Sequence, residues 1–519
     1  MPSERIKAAY DAEAFRRTGT AIVQTLAEHF ERLSSDPECD SGSDPKCNAP
    51  KALNWREPTE NIADAEAWLN RFAEQRQSPE AWTPDSIAQR CVALVRESLS
   101  RGQNLHHRRY VGHQVPPPAP IAALFDLVGS ATNQAMAIYE MGPWSTAVER
   151  ALIHRLGSLV GFPAGTFGGI CTHGGSLANL TALLTARNVA LSNVWREGVP
   201  ASAAGRSPVM VVQGDVHYSV TRAAGIMGLG TQQLVKVPLD DRRRMDPARL
   251  DQILCDLAAA GRPVVAVCAA ACTTPIGAFD PLREIGTICQ RHRVWLHVDA
   301  AHGGAALLSA RHRGLLDGLE LADSLIIDAH KMMFVPALCA FVLYRRQADR
   351  FAAFHQDASY LFDPAAPGMV EFDNGTQTLE CTKRAAAMAL FGLWSAFGPE
   401  LFGELVDQTF AMAAAWARML DEAADFQLLY QPQANIVVFR YCPADWSTWS
   451  PERLGDLQLR LRQRLVRSGD AYVVPITIDG VGALRTTVIN PLTTETDLIE
   501  VMEAIRRHGA EVARHESAQ

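Results

Sequence analysis

Hydrophobic positions along the chain follow two rhythms. Residues 11–33 and 62–75 space them every third or fourth position, which predicts amphipathic helices. Further on, short runs are almost continuously apolar: VMVVQGD (209–215), PVVAVCAA (263–270), VWLHVDA (294–300), DSLIIDA (323–329) and LCAFVLYR (338–345). Helical segments lie between most of them. Strands without a polar face must be covered on both sides, so the alternation predicts a mostly parallel sheet flanked by helices. The Pro-rich joint QVPPPAP (114–120) precedes this region. The expected division is an N-terminal helical segment (1–115), a large α/β domain (116–385) and a small C-terminal α+β domain (386–519). Strands of that last part are expected in QANIVVFRY (433–441) and ALRTTVINP (483–491).

Composition narrows the class of protein. The 519 residues are 48% hydrophobic and carry 49 Lys plus Arg against 57 Asp plus Glu, a net charge of −8. A mildly acidic chain gives no electrostatic case for a nucleic-acid partner. The opening MPSERIKAAYDAEAF lacks the apolar core of a signal peptide. The most apolar stretch, PVVAVCAAACTTPIGAF (263–279), is too short and interrupted to span a bilayer, so no membrane partner is expected. The eleven cysteines show no CxxC and no regular spacing, which suits reduced thiols in a cytoplasm.

In parallel sheets, ligands sit beyond the carboxyl ends of the strands. The residues there are chemically distinctive. VWLHVDAAHGG ends on Asp299, DSLIIDAHK on Asp328, His330 and Lys331, and VMVVQGDVHYS on Asp215, His217 and Ser219. CAAACTTPIGA adds Thr273 and Thr274. ICTHGGSLANLTALLTAR (170–187) is a Gly-rich turn running into a helix, a natural anion site, with Ser176 adding a hydroxyl. Taken singly, each feature has an ordinary reading: a capping aspartate, a satisfied histidine, a lysine reaching solvent. Taken together they match the needs of pyridoxal phosphate, which requires a lysine amine, an acid against its ring nitrogen and a phosphate cradle. Burial of Lys331 among apolar runs is expected to lower its pKa and free the amine. A metal site at His297, Asp299 and His302 lacks a completing ligand, so none is expected. A dinucleotide site at GTFGGICTHGG has the wrong spacing.

The motifs THGGSLANL, DVHYS, TTPIGAFDP, HVDAAHGG and DAHK, in this order over roughly residues 100–500, resemble the group II pyridoxal-phosphate-dependent amino-acid decarboxylases. The resemblance implies a fold type I enzyme, a homodimer with its active site at the subunit interface. It implies Lys331 as the Schiff-base lysine, His217 stacked on the ring, Asp299 at the pyridine nitrogen and Ala301 beneath the ring. Thr274 would lie near the ring hydroxyl, and Gly174, Gly175, Ser176 and His330 would hold the phosphate. Asp328 stands where relatives often carry Asn, and an acid beside a phosphate is unfavourable. DASYLF places Tyr360 at the family's loop tyrosine, which protonates the substrate carbon after CO2 leaves. Arg485 in ALRTTVINP matches the arginine that holds the substrate α-carboxylate, a task suited to a bidentate guanidinium.

By the same resemblance, HRRYVGHQ (107–114) is a substrate-pocket segment, with His113 and Gln114 facing the side chain. Their polarity suggests a short polar or acidic substrate, and Trp144 in YEMGPWSTAVE would shrink the pocket. The leading expectation is an L-amino-acid α-decarboxylase releasing CO2 and a primary amine. Oxidative deamination, transamination or aldol cleavage on the same scaffold, and a non-catalytic cofactor-binding homologue, are the alternatives.

Overall fold

The computed structural model describes residues 2–34, 50–354, 370–444 and 446–517. Two compact units emerge: residues 114–417 with 430–437, and residues 1–113 with 418–429 and 438–519. The division between the units falls between His113 and Gln114, where the Pro-rich joint begins. Residues 386–417 group with the large sheet, however, and the N-terminal helices group with the C-terminal strands.

The larger unit is built on seven strands: β1 (Gly168–Thr172), β2 (Val209–Gln213), β3 (Leu234–Val237), β4 (Val264–Ala270), β5 (Leu296–Asp299), β6 (Ser324–Asp328) and β7 (Ala340–Tyr344). Their order is β1-β7-β6-β5-β4-β2-β3. Only β7 runs against its neighbours β1 and β6. The remaining pairs are parallel. As a result β1, β2, β4, β5 and β6 all end at one edge, where β7 begins.

Every residue of β1, β2, β6 and β7 is buried, which explains their nearly unbroken apolar runs. In β1 the requirement is for smallness. A Cβ on Gly169 would lie 2.3 Å from the Val342 carbonyl oxygen, so only glycine permits this pairing with β7. The helix Gly175–Ala190 lies over the sheet and turns Ala178, Ala182, Leu183 and Ala186 into a core with Met210, Val212, Ile326 and Val342.

One buried ion pair anchors the functional end of β1. The Lys383 ammonium donates to both Glu149 oxygens at 2.7 Å and to the Cys171 carbonyl at 2.6 Å. Glu149 also accepts the Cys171 N–H at 3.0 Å. Removing one partner leaves the other charge buried and alone. Lys383→Met is therefore expected to cost about 3–5 kcal/mol of stability in denaturant titration. Adding Glu149→Gln should recover part of that loss; no recovery would argue against the pair as its source.

The smaller unit contains β8 (Phe426–Leu428), residues 438–441 of β9 (Ile436–Tyr441), β10 (Val474–Ile478) and β11 (Val481–Thr487), in a sheet ordered β10-β11-β9-β8. The segment before the Pro-rich joint extends this unit. Val111 donates to the Tyr472 carbonyl at 3.2 Å and accepts from the Thr487 N–H at 2.9 Å. Tyr110 stacks on Tyr472 with ring centroids 5.2 Å apart.

Candidate active site

Within the larger unit, the strand ends surround a cavity of about 330 Å³. Gln114, Gly174, Gly175, Ser176, His217, Thr274, Asp299, Ala301, Asp328, His330 and Lys331 all line it. The local backbone explains how each arrives. β6 ends at Asp328, and a turn closed by the Lys331 N–H on the Asp328 carbonyl (3.0 Å) brings Lys331 back over the strand end. The Lys331 ammonium then sits 3.1 Å from Asp328 Oδ2. His330 Nδ1 donates to the Cys339 carbonyl at 2.8 Å, which fixes its ring just before β7.

Asp299 is the last residue of β5. Its Oδ2 accepts from Asn179 Nδ2 at 2.9 Å and its Oδ1 from the Ala301 N–H at 3.1 Å. Burial disfavours its charge, but Lys331, Asn179 and His217 outweigh burial and hold its pKa below the usual carboxylate value. His217 precedes the helix Tyr218–Ile226, with Nδ1 2.7 Å from Ser219 Oγ. Burial pushes its pKa down, favouring a neutral ring.

The Gly-rich turn has the geometry of an anion cradle. Gly174 has φ +100°, and the helix begins at Gly175 with no side chain capping it. Its first-turn N–H groups and positive dipole end are thus available to a ligand. A Cβ on Gly175 would approach Asp328 Oδ2 to 2.6 Å, so this space admits no side chain.

His113 and Arg485 belong to the smaller unit. There Arg485 is buried on β11, with Nη2 3.3 Å from Thr487 Oγ1. Burial, followed by the charges of Arg485 and Arg462, lowers the His113 pKa. Tyr360 falls outside the described residues. Trp144 does not line the cavity: it is 64% exposed and packs edge-on against Phe391. Its expected effect on pocket size is therefore absent within this chain.

The expected lowering of the Lys331 pKa is reversed. Burial does disfavour the ammonium, but Asp328 and Asp299 together overcome it and hold the pKa above the ordinary lysine value. Burial alone gives the opposite sign; the two carboxylates reverse it. Other contributors were not legible in the sequence. His173 lines the cavity in a short contact with Glu380. Asp215, already legible after β2, also lines it and forms a two-point ion pair with Arg243 at 2.7 and 2.9 Å. Asn179 lines the cavity too, an amide within the otherwise apolar LANLTALL.

Residues 74–442 match the pyridoxal-dependent decarboxylase conserved domain. The chain belongs to the pyridoxal-dependent decarboxylase family. It is a pyridoxal-phosphate-dependent carboxy-lyase. The L-2,4-diaminobutyrate decarboxylase of Rhizobium meliloti is 32% identical over 443 residues, covering 84% of each chain. Cysteine sulfinic acid decarboxylase of Rattus norvegicus is 29% identical over 470 residues, 89% of this chain and 92% of that one. The crystal structure of mouse CSAD matches with a TM-score of 0.82 at 25% identity, covering 96% of this chain and 99% of the other. The fold is thus that of fold type I pyridoxal-phosphate enzymes. Among the described residues, no helix is long and apolar enough to cross a membrane.

The residues present fit the family's cofactor. The cavity combines an amine, a buried carboxylate, an imidazole and uncapped helix amides. Asp328 Oδ1 and His173 Nε2 are buried polar atoms with no hydrogen-bond partner among the described residues. Asp328 is the odd member, and its proximity to Lys331 suggests its effect. An amine that is to attack the cofactor aldehyde would have to be neutral, and Asp328 stabilises the charged form of Lys331. In Asp328→Asn the nearest counter-charge is gone, so the Lys331 pKa should fall. Cofactor loading, followed by visible absorbance, should become several-fold faster at neutral pH, and its pH midpoint should move lower. An unchanged or higher midpoint would remove Asp328 from this role.

Proposed function

We propose that this cavity binds pyridoxal phosphate and decarboxylates an L-amino acid with a short polar or acidic side chain. The observation that carries this reading is the placement of Lys331, Asp299 and His217 around one cavity at the sheet's carboxyl edge, in a chain of this family. When bound, the cofactor supplies an electron sink for the bond to the departing carboxylate. Lys331 provides the amine that anchors it and exchanges with substrate. Asp299 keeps a proton on the ring nitrogen through its buried charge. His217 covers one ring face, with Ala301 beneath and Thr274 at the ring hydroxyl side. The uncapped amides at Gly175 and Ser176, the turn at Gly174, and His330 hold the phosphate.

For the substrate we assign Arg485 to the α-carboxylate, and His113 and Gln114 to the side chain. Tyr360 is assigned to protonating the substrate carbon after CO2 leaves. The short charged substrates in the names of the two relatives, diaminobutyrate and cysteine sulfinate, support this class. We further propose a homodimer working in the cytoplasm. The helix Pro120–Thr132 exposes Ile121, Leu124, Leu127 and Val128 along one side, a surface suited to a second copy. Free thiols, several of them buried, suit a reducing compartment.

A panel of amino acids including aspartate, cysteine sulfinate and diaminobutyrate tests the reaction, with CO2, amine, aldehyde and ammonia all quantified. Equal CO2 and amine from one short polar substrate is the expected result. Aldehyde and ammonia without amine would overturn it.

A further inference from the structure

Behind the cavity floor runs a buried hydrogen-bond chain whose direction is fixed at both ends. At one end is the ionised Asp299, which can only accept. It faces Asn179 Nδ2 at 2.9 Å, so the Asn179 amide must present its NH2 there. That orientation points Asn179 Oδ1 at His297 Nε2, 2.8 Å away. An amide oxygen only accepts, so His297 carries its proton on Nε2. Burial lowers the His297 pKa to about 4, so the ring is neutral and Nδ1 is an acceptor. Ser324 Oγ lies 2.9 Å from that Nδ1 and therefore donates to it. Trp295 Nε1, which can only donate, closes this end onto Ser324 Oγ at 2.9 Å.

A second branch leaves the same amide. Asn179 Nδ2 also donates to Ser219 Oγ at 2.9 Å. Ser219 Oγ lies 2.7 Å from His217 Nδ1; were it to accept there too, its own buried proton would have no partner among the described residues, so the hydroxyl donates to that nitrogen. The Ser219 N–H faces the same nitrogen at 3.4 Å. His217 Nδ1 is thus an acceptor, and the proton of the neutral ring is on Nε2. Asn179, Ser219, His297 and Ser324 are all buried, so water does not substitute for these partners.

We infer that Asn179 is a positioning residue that ties the ionised state of Asp299 to the tautomer of His217. One amide holds the acid in its accepting form and, through Ser219, keeps a donor on His217 Nε2. Two groups on separate strand ends thereby act as one electrostatic unit. The consequence for cofactor binding rests on the assignment of Asp299 to the ring nitrogen; the tautomer itself does not.

The test uses the full-length, cofactor-free protein labelled with 15N-histidine, with His217→Gln providing the assignment. The expected spectrum shows His217 Nδ1 as the unprotonated ring nitrogen and Nε2 as the protonated one. Asn179→Leu and the milder Ser219→Ala should each erase that preference, while thermal melts confirm folding. Ser219→Ala keeps the test decisive if Asn179→Leu does not fold. Cofactor affinity in Asn179→Leu should fall about ten- to hundredfold, as expected for losing a charge-assisted hydrogen bond. A His217 proton on Nδ1 in the unmodified protein, or an unchanged tautomer in the folded variants, would overturn the inference. If instead the tautomer shifts as expected while Asp299→Asn leaves cofactor affinity unchanged, the relay stands and the ring-nitrogen assignment falls.

Discussion

Lys331→Ala is expected to abolish the visible absorbance of the cofactor-loaded protein and to reduce decarboxylation at least about a thousandfold, or ~4 kcal/mol of barrier. The reason is geometric. Lys331 is the lysine on the cavity wall, held at the end of β6 by the turn at Asp328. Lys383, the other lysine near this end of the sheet, is committed to Glu149 and the Cys171 carbonyl. Among the described residues, no other lysine lines the cavity to replace the one removed. The substitution leaves the buried Asp328 carboxylate without its nearest counter-charge, so some stability should be lost, and the thermal melt reads whether the fold survives. The check is absorbance, product assay and thermal melt on one preparation. Retained colour with retained activity would move the covalent anchor elsewhere.

Asp299→Asn carries the second large effect. The substitution keeps shape and removes charge. In the unmodified protein, Lys331, Asn179 and His217 together hold Asp299 ionised despite its burial. That charge is useful only if it faces a proton that must stay in place, as on the cofactor's ring nitrogen. Its loss should lower kcat roughly 10²–10³-fold, the scale for removing one preorganised electrostatic contact. KM for the amino acid should change little, since Asp299 is not assigned to the substrate. A rise in KM with unchanged kcat would place Asp299 on the substrate instead.

The sequence carried much of this architecture because buried parallel strands leave a clear signature. Five strands were legible from runs of Val, Ile, Leu and Ala. Two were not. β1 reads GGICT, and its glycines serve the close approach to β7 rather than strand propensity. β3 reads LVKV, a short edge strand whose lysine is exposed. The grouping of units was also illegible, because it depends on the segment 107–113 joining strands several hundred residues later.

The cavity residues were legible for a related reason. Polar groups directly after apolar strands have few structural uses, and the topology collects them at one edge. What local reading could not supply was the balance of forces between residues distant in sequence. Lys331 seemed to be governed by burial, yet two carboxylates decide its pKa. Asn179 is one amide within a helix, and its partners come from β5 and from the first turn of the helix after β2.

The central claim is that the cavity at the carboxyl edge of the sheet is the cofactor site and Lys331 its anchor. Borohydride reduction of the loaded protein, followed by peptide mass mapping, tests this most directly. The chain contains only six lysines, so the modified one is readily located. The account predicts a single pyridoxyl group on the peptide containing Lys331, absent in Lys331→Ala. A pyridoxyl group on Lys383 or any other lysine, with Lys331 unmodified, would contradict it.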